Sequence, residues 1–127
     1  MYQIDNQSRQ AVYEQIVRQV EKYVLTGVLN SGDKLPSVRS MSIELNVNPN
    51  TVQRAYTELE RSGVIVTAPG RGAFVSENGV SALKERRTSM YFADLKRLVA
   101  ELMLCRVEKD RLITIINDQY TEDEEND

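Results

Sequence analysis

Apolar positions recur at helical spacing in the first third of the chain. Val12, Ile16, Val20 and Val24 repeat every four residues, and Tyr13, Val17 and Tyr23 widen the stripe, which predicts an amphipathic helix over residues 11–26. Gly27 ends it. Asn30, Ser31, Gly32 and Asp33 form a turn cluster, after which Leu35 and Pro36 lead to a second, shorter helix over residues 38–45. Its inward positions are Val38, Met41 and Leu45, and Ser37 is placed to cap its start. After a turn at Asn46, Val47 and Asn48, a third helix begins sharply, because Asn48 is an N-cap residue and Pro49 suits the first helical turn.

The third helix has two faces. Val52, Ala55, Tyr56 and Leu59 lie on one side, and Asn50, Gln53, Arg54, Thr57 and Arg61 on the other. Tyr56 is read as core with its hydroxyl at the edge. Beyond a stop at Ser62 and Gly63, residues 64–66 and 73–75 predict two strands around a loop at 67–72, with Arg71 at its tip. Two helices, a tight turn, a third helix and a glycine-rich hairpin, in that order, make a winged helix-turn-helix.

Residues 76–79 read as a polar linker, and a long helix is expected over 81–105. Tyr91, Leu95, Leu98, Leu102 and Cys105 follow spacings of four, three, four and three, the pattern of a helix–helix seam, while Phe92, Val99 and Met103 extend the apolar surface sideways. A last helix over 109–120 contributes Leu112, Ile113, Ile115, Ile116 and Tyr120. Two helices cannot bury so wide a face alone, so burial against a second copy is expected, through Tyr91, Leu95, Leu98, Val99, Leu102 and Ile116. The expected fold is mainly α with a small β-hairpin. A winged helix-turn-helix occupies residues 1–76, a two-helix dimerisation region 77–120, and an acidic flexible tail 121–127.

Charge sharpens this division. Residues 1–75 carry eight Lys/Arg against seven Asp/Glu, and residues 76–127 eight against twelve, so the net charge of −3 comes from the C-terminal part. A local basic patch matters more to nucleic-acid binding than net charge, and Arg39, Arg54 and Arg71, with Lys34 nearby, are the candidates. The polar face of the third helix offers amide, hydroxyl and guanidinium groups suited to base edges in a major groove. Asn50, Gln53 and Arg54 are therefore assigned to bases, Ser37, Arg39 and Thr51 to phosphates, and Arg71 to the wing contact. The plainer alternatives are an ion pair of Arg39 with Glu44 or Glu58, and an Arg61 that is solvated or touches a phosphate and reads no base.

Other chemistries find little footing. The chain has no histidine and one cysteine, Cys105, which excludes histidine-based triads and metal sites within one chain and agrees with a reducing compartment. No cofactor, metal site or enzymatic constellation is expected. Nor is a membrane partner: the first ten residues lack a leader pattern, no stretch nears the roughly 18 apolar residues of a span, and a cytoplasmic location is expected. Nothing in the pattern calls for a small-molecule effector; Met90, Phe92, Met103 and Ile116 would suit a lipophilic one but equally suit plain core. The competing function is a winged helix that binds a protein and never reads DNA.

The motifs YEQIV (13–17), GDKLPSVR (32–39), VNPNTVQRAYTELERSGVI (47–65) and GRGAFV (70–75) closely resemble the DNA-binding domain of GntR-type bacterial transcription regulators. The resemblance covers about residues 10–75. It implies that Arg39, the start of the third helix from Asn48 to Arg54, and the wing glycines Gly70 and Gly72 with Arg71 meet a double-stranded DNA operator. Many relatives carry arginine where this chain has Pro49 and Gln53, which leaves base readout here to Asn50, Gln53 and Arg54. The short C-terminal region resembles the YtrA-type subgroup of that family, which implies a homodimer, a palindromic site and, as the mode of action, repression.

Overall fold

The computed structural model describes residues 1–125. Its elements run α1 (Val12–Leu25), α2 (Val38–Leu45), α3 (Pro49–Arg61), β1 (Ile65–Ala68), β2 (Gly72–Val75), α4 (Gly79–Leu104) and α5 (Lys109–Glu125). They form two compact units, one from Met1 to Arg87 and one from Thr88 onward.

In the first unit the apolar stripe of α1 meets that of α3, and α3 also packs on α2 and β1. Ile16, Val20 and Val24 from α1, Met41 from α2, and Val52 and Leu59 from α3 are fully buried, with Leu35, Val64, Ile65 and Val75 filling the hairpin side. The caps form as the sequence predicts. Ser37 Oγ accepts from the Ser40 amide at 3.0 Å, and Asn48 Oδ1 from the Asn50 amide at 2.8 Å. Each such cap is worth about 1 kcal/mol. Between the two helices Asn46 adopts a left-handed conformation, φ 54°, and the Val47 amide closes the turn on the Ser42 carbonyl oxygen at 3.0 Å.

The strands are antiparallel in the register Ile65 to Val75 and Thr67 to Ala73. They reach further into the expected loop than the apolar pattern suggests: Thr67, Ala68 and Gly72 pair in the ladder, and only residues 69–71 form the turn. The expected turn cluster before α2 also does more than reverse the chain. It lies along β2, with Gly32 N donating to Val75 O and Leu35 N to Ala73 O, both at 2.9 Å.

The first residues, unassigned by the apolar pattern, are part of this core. Tyr2 is buried with its ring edge-on to Tyr23, centroids 5.4 Å apart, and the Asp5 amide donates to Gln15 Oε1 at 2.8 Å. At the other end, α4 starts at Gly79, two residues before the expected position, so the linker ends there. A Cβ at Gly79 would sit 2.8 Å from the Val64 carbonyl oxygen; glycine is what lets the helix start pass so close to that backbone. The first turns of α4 then bury Leu83 completely and bring Arg86 and Arg87 to the buried carboxylate of Glu21 on α1.

The second unit contains the rest of α4, a turn, and α5. Arg106, φ 63°, takes the left-handed position that a glycine often fills, and the Val107 amide donates to the Leu102 carbonyl oxygen at 3.1 Å. Cys105 falls just outside the helix. α5 does not stop at Tyr120. Residues 121–125 continue it, where a flexible tail is expected, and the Thr121 hydroxyl bonds back to the Asn117 carbonyl oxygen at 2.9 Å. The remainder of that expected tail, 126 and 127, lies outside the described residues. Val99, Val107 and Leu112 are half-buried, and no residue from 88 to 124 is fully buried within the chain. Met90, Phe92, Met103 and Ile116 are all exposed, so they make no core in a single copy.

Candidate nucleic-acid interface

Three elements converge at the start of α2. Pro36, Ser37 and Val38 share a cleft of about 160 Å³ with Gln53 and Tyr56 of α3 and with Thr67, Gly72 and Ala73 of the hairpin. The fold therefore brings Ser37, Gln53 and Gly72, predicted from three separate segments, to one place. Behind them the Tyr56 hydroxyl donates to the Pro36 carbonyl oxygen at 2.6 Å, tying α3 to the approach of α2. Burial, with Tyr2 and Glu44 as lesser influences, raises the Tyr56 pKa well above the ordinary tyrosine value and keeps that hydroxyl a donor.

On α3 the division between faces is as the spacing predicts. Val52, Ala55, Tyr56 and Leu59 are buried, whereas Asn50, Gln53, Arg54 and Thr57 are exposed and Thr51 is half-buried. Gln53 Nε2 donates to Thr57 Oγ1 at 3.3 Å, a weak contact that leaves the carbonyl end of the amide open. Asn50 is the second residue of the helix, its amide taken up by the cap, and Asn48, with its side-chain oxygen engaged in capping, is itself exposed.

The basic residues separate into groups. Arg39, in the first turn of α2, is exposed and has no ion pair among the described residues. Glu44 instead holds the terminal amine at 3.3 Å, and Glu58 holds Arg61 at 2.6 Å. Arg61 is thus held by a residue of its own helix, at the far end of the polar face from Asn50. Lys34 bridges to Phe74, and its side chain reaches over Gly72, whose added Cβ would meet Lys34 Cε at 3.0 Å. The wing thereby gains a second cation beside Arg71. Arg71 occupies the exposed hairpin turn, where its amide donates to the Ala68 carbonyl oxygen at 2.9 Å. Gly70, φ 76°, and Gly72, φ 115°, flank it in conformations that residues with side chains rarely adopt.

Arg54 makes a contact that helical spacing does not foresee. Its guanidinium carbon stands 3.8 Å from the centroid of the Tyr13 ring on α1. Spacing assigns Tyr13 to the apolar stripe, and nothing in the local sequence indicates which residue of another helix would cross that ring.

Among the described residues no cluster of His, Cys, Asp and Glu is arranged to hold a metal ion, and no helix is long and apolar enough to cross a membrane.

Residues 12–75 match the model of the bacterial regulatory proteins, gntR family. The chain is 44% identical over 112 residues to the HTH-type transcriptional repressor YtrA of Bacillus subtilis, covering 88% of this chain and 86% of that protein. A transcriptional regulator from Oenococcus oeni superposes with a TM-score of 0.78 at 38% identity, covering 92% of this chain and 97% of that one. YtrA from Sulfolobus acidocaldarius, a GntR-family transcription factor, gives 0.59 at 35% identity over 72% of this chain and 95% of its own. With its winged helix, the order of its motifs and these likenesses, the chain belongs to the gntR family of bacterial transcription regulators.

Proposed function

We propose that this regulator is a repressor that binds a palindromic operator as a homodimer. The observation that carries the reading is the convergence of Ser37, Gln53 and Gly72 around one cleft, with Lys34 and Arg71 at the wing and, in the first turn of α2, an exposed Arg39 that has no ion pair among the described residues. In this reading Asn50, Gln53 and Arg54 address base edges in the major groove. Ser37, Arg39, Asn48 and Thr51 lie at helix starts and address phosphates, where exposed amides and the helix dipole favour an anion. Gly70, Arg71 and Gly72 let the wing approach the backbone beside the groove. The repressor named among the relatives supports the direction of control.

Dimerisation is assigned to the second unit. Tyr91, Leu98 and Ile116 leave 52%, 51% and 48% of their surface exposed, and Leu95 and Leu102 continue the same seam, with Val99 half-buried beside it. An apolar face that wide on a unit without a buried core calls for a partner, and a second copy supplies the same seam by two-fold symmetry. Two recognition helices on one two-fold axis would read two half-sites in a fixed register. The protein acts in the cytoplasm in this reading, without a cofactor and without a role for a membrane.

The test is selection on a randomised duplex pool with the purified protein, repeated with Arg54→Ala, followed by salt titration and sedimentation equilibrium with wild type and Leu98→Glu. Enrichment of an inverted repeat, its loss or blurring in Arg54→Ala, and a dimer that Leu98→Glu dissociates support the proposal. No enrichment and no binding at low salt would instead point to a winged helix that serves a protein partner.

A further inference from the structure

We propose that Tyr13 is a positioning residue for DNA readout, holding the Arg54 guanidinium flat on its ring so that the planar donor edge is presented ready for a base. The inference rests on the assignment of Arg54 to the DNA-reading face. Arg54 is exposed on α3, and among the described residues it makes neither an ion pair nor a side-chain hydrogen bond. Its guanidinium lies instead over the Tyr13 ring, with the guanidinium carbon 3.8 Å from the centroid.

That geometry has a particular chemical consequence. A guanidinium engages an aromatic ring through its flat face and donates hydrogen bonds in its plane, so a stacked arginine loses none of its five N–H donors. An arginine held instead by a carboxylate, as Arg61 is by Glu58, has donors engaged before any ligand arrives. Stacking restricts a long, rotamer-rich side chain in the free protein, and less freedom then remains to be lost when the guanidinium meets the paired acceptors of a guanine edge. Tyr13 can serve because its backbone is fixed independently. It stands in the first turn of α1, half-buried, next to Val12 and near the fully buried Ile16, which anchor that turn to the core against α3. The scaffold helix thus contributes to a site that spacing assigns to α3 alone.

Nuclear magnetic resonance of the free protein tests the stack without DNA. The Arg54 side-chain protons should be shifted upfield by the ring, the shift surviving Tyr13→Phe and disappearing in Tyr13→Ala; an unshifted Arg54 overturns the proposal whatever the DNA results. Binding to the selected duplex then tests the role. Tyr13→Ala should weaken it about two- to ten-fold, Tyr13→Phe should restore nearly wild-type affinity, and Tyr13→Ala should add no further loss in an Arg54→Ala background. A loss that persists in that background would mean that Tyr13 contacts DNA or supports the fold, and tighter binding by Tyr13→Ala would mean that the ring parks Arg54 away from DNA; either overturns the proposal. If wild type and Arg54→Ala bind alike, the assignment of Arg54 itself falls and the positioning role with it. A stack present in solution, a competent Arg54 and an inert Tyr13→Ala would remove the positioning role and leave the proposed function standing.

Discussion

The Tyr56 hydroxyl donates to the Pro36 carbonyl oxygen at 2.6 Å, across twenty residues of sequence and from the buried side of α3 to the residue that precedes the α2 cap. That hydrogen bond joins α3 to the approach of α2, in addition to the apolar packing between the two helices. Tyr56→Phe keeps the ring in the core and removes only the donor. The expected cost is about 1 kcal/mol, read as a fall of about 4–8 °C in melting temperature for a unit of this size. Unchanged melting would mean that the Pro36 carbonyl finds water instead.

Tyr2 behaves in the opposite way. Its hydroxyl is buried without a hydrogen-bond partner among the described residues, so Tyr2→Phe should leave stability unchanged or raise it by about 1 kcal/mol at neutral pH. Burial first, then Tyr23 and Glu44, pushes its pKa up from 10.0 to about 12. The folded state therefore holds the phenol proton more tightly than the unfolded chain does. That contribution is fully present below pH 10 and is lost as pH rises toward 12, so wild-type stability should decline over this interval. Urea midpoints measured at increasing pH should fall less steeply for Tyr2→Phe.

Glu21 is a buried carboxylate facing two arginines, with Arg86 Nη2 at 3.2 Å from Oε2 and Arg87 on Oε1. The pairs join α1 to the first turns of α4. Glu21→Ala should destabilise the first unit by about 1.5–3 kcal/mol, the worth of a charge-assisted hydrogen bond lost from a buried site. Amide hydrogen exchange should locate the damage, with protection lost first over residues 79–87. Loss spread evenly through α1, α2 and α3 would show that the cluster supports the whole core rather than the start of α4.

How much of this was legible in the sequence depends on the range of the interaction. The caps at Ser37 and Asn48, the inward faces of α1 and α3 and the hairpin follow from chemistry within a few residues, and local periodicity reports these directly. Lys34 beside Gly72, Tyr13 under Arg54 and Glu21 between Arg86 and Arg87 join residues 38 to 66 positions apart. No periodicity specifies such a pairing. The sequence reading starts α4 two residues late because Gly79 reads as part of the linker, while in the fold it allows a close backbone approach. In the acidic run like charges suggest a solvated tail, and residues 121–124 are exposed, but the backbone of 121–125 continues the turns of α5. The polar face of α3 is legible from its spacing, and Asn50, Gln53, Arg54 and Thr57 are exposed along it.

The exposed arginines separate those contacts experimentally. Arg71 sits at the wing turn with no ion pair among the described residues, while Arg61 is already held by Glu58 at 2.6 Å. If Arg71 neutralises a phosphate, Arg71→Ala should weaken binding to all duplexes alike and reduce the slope of log K against log salt by about 0.9. Arg54→Ala should instead cost about 1–3 kcal/mol on the preferred sequence and much less on an unrelated one. Arg61→Ala should change neither quantity appreciably, because the side chain it removes is committed within its own helix. Fluorescence anisotropy at several salt concentrations, on one preferred and one scrambled duplex, resolves all three. A sequence-selective loss from Arg71→Ala would move the wing from backbone contact to base reading, and an Arg61→Ala effect on the salt slope would extend the interface along the full length of α3.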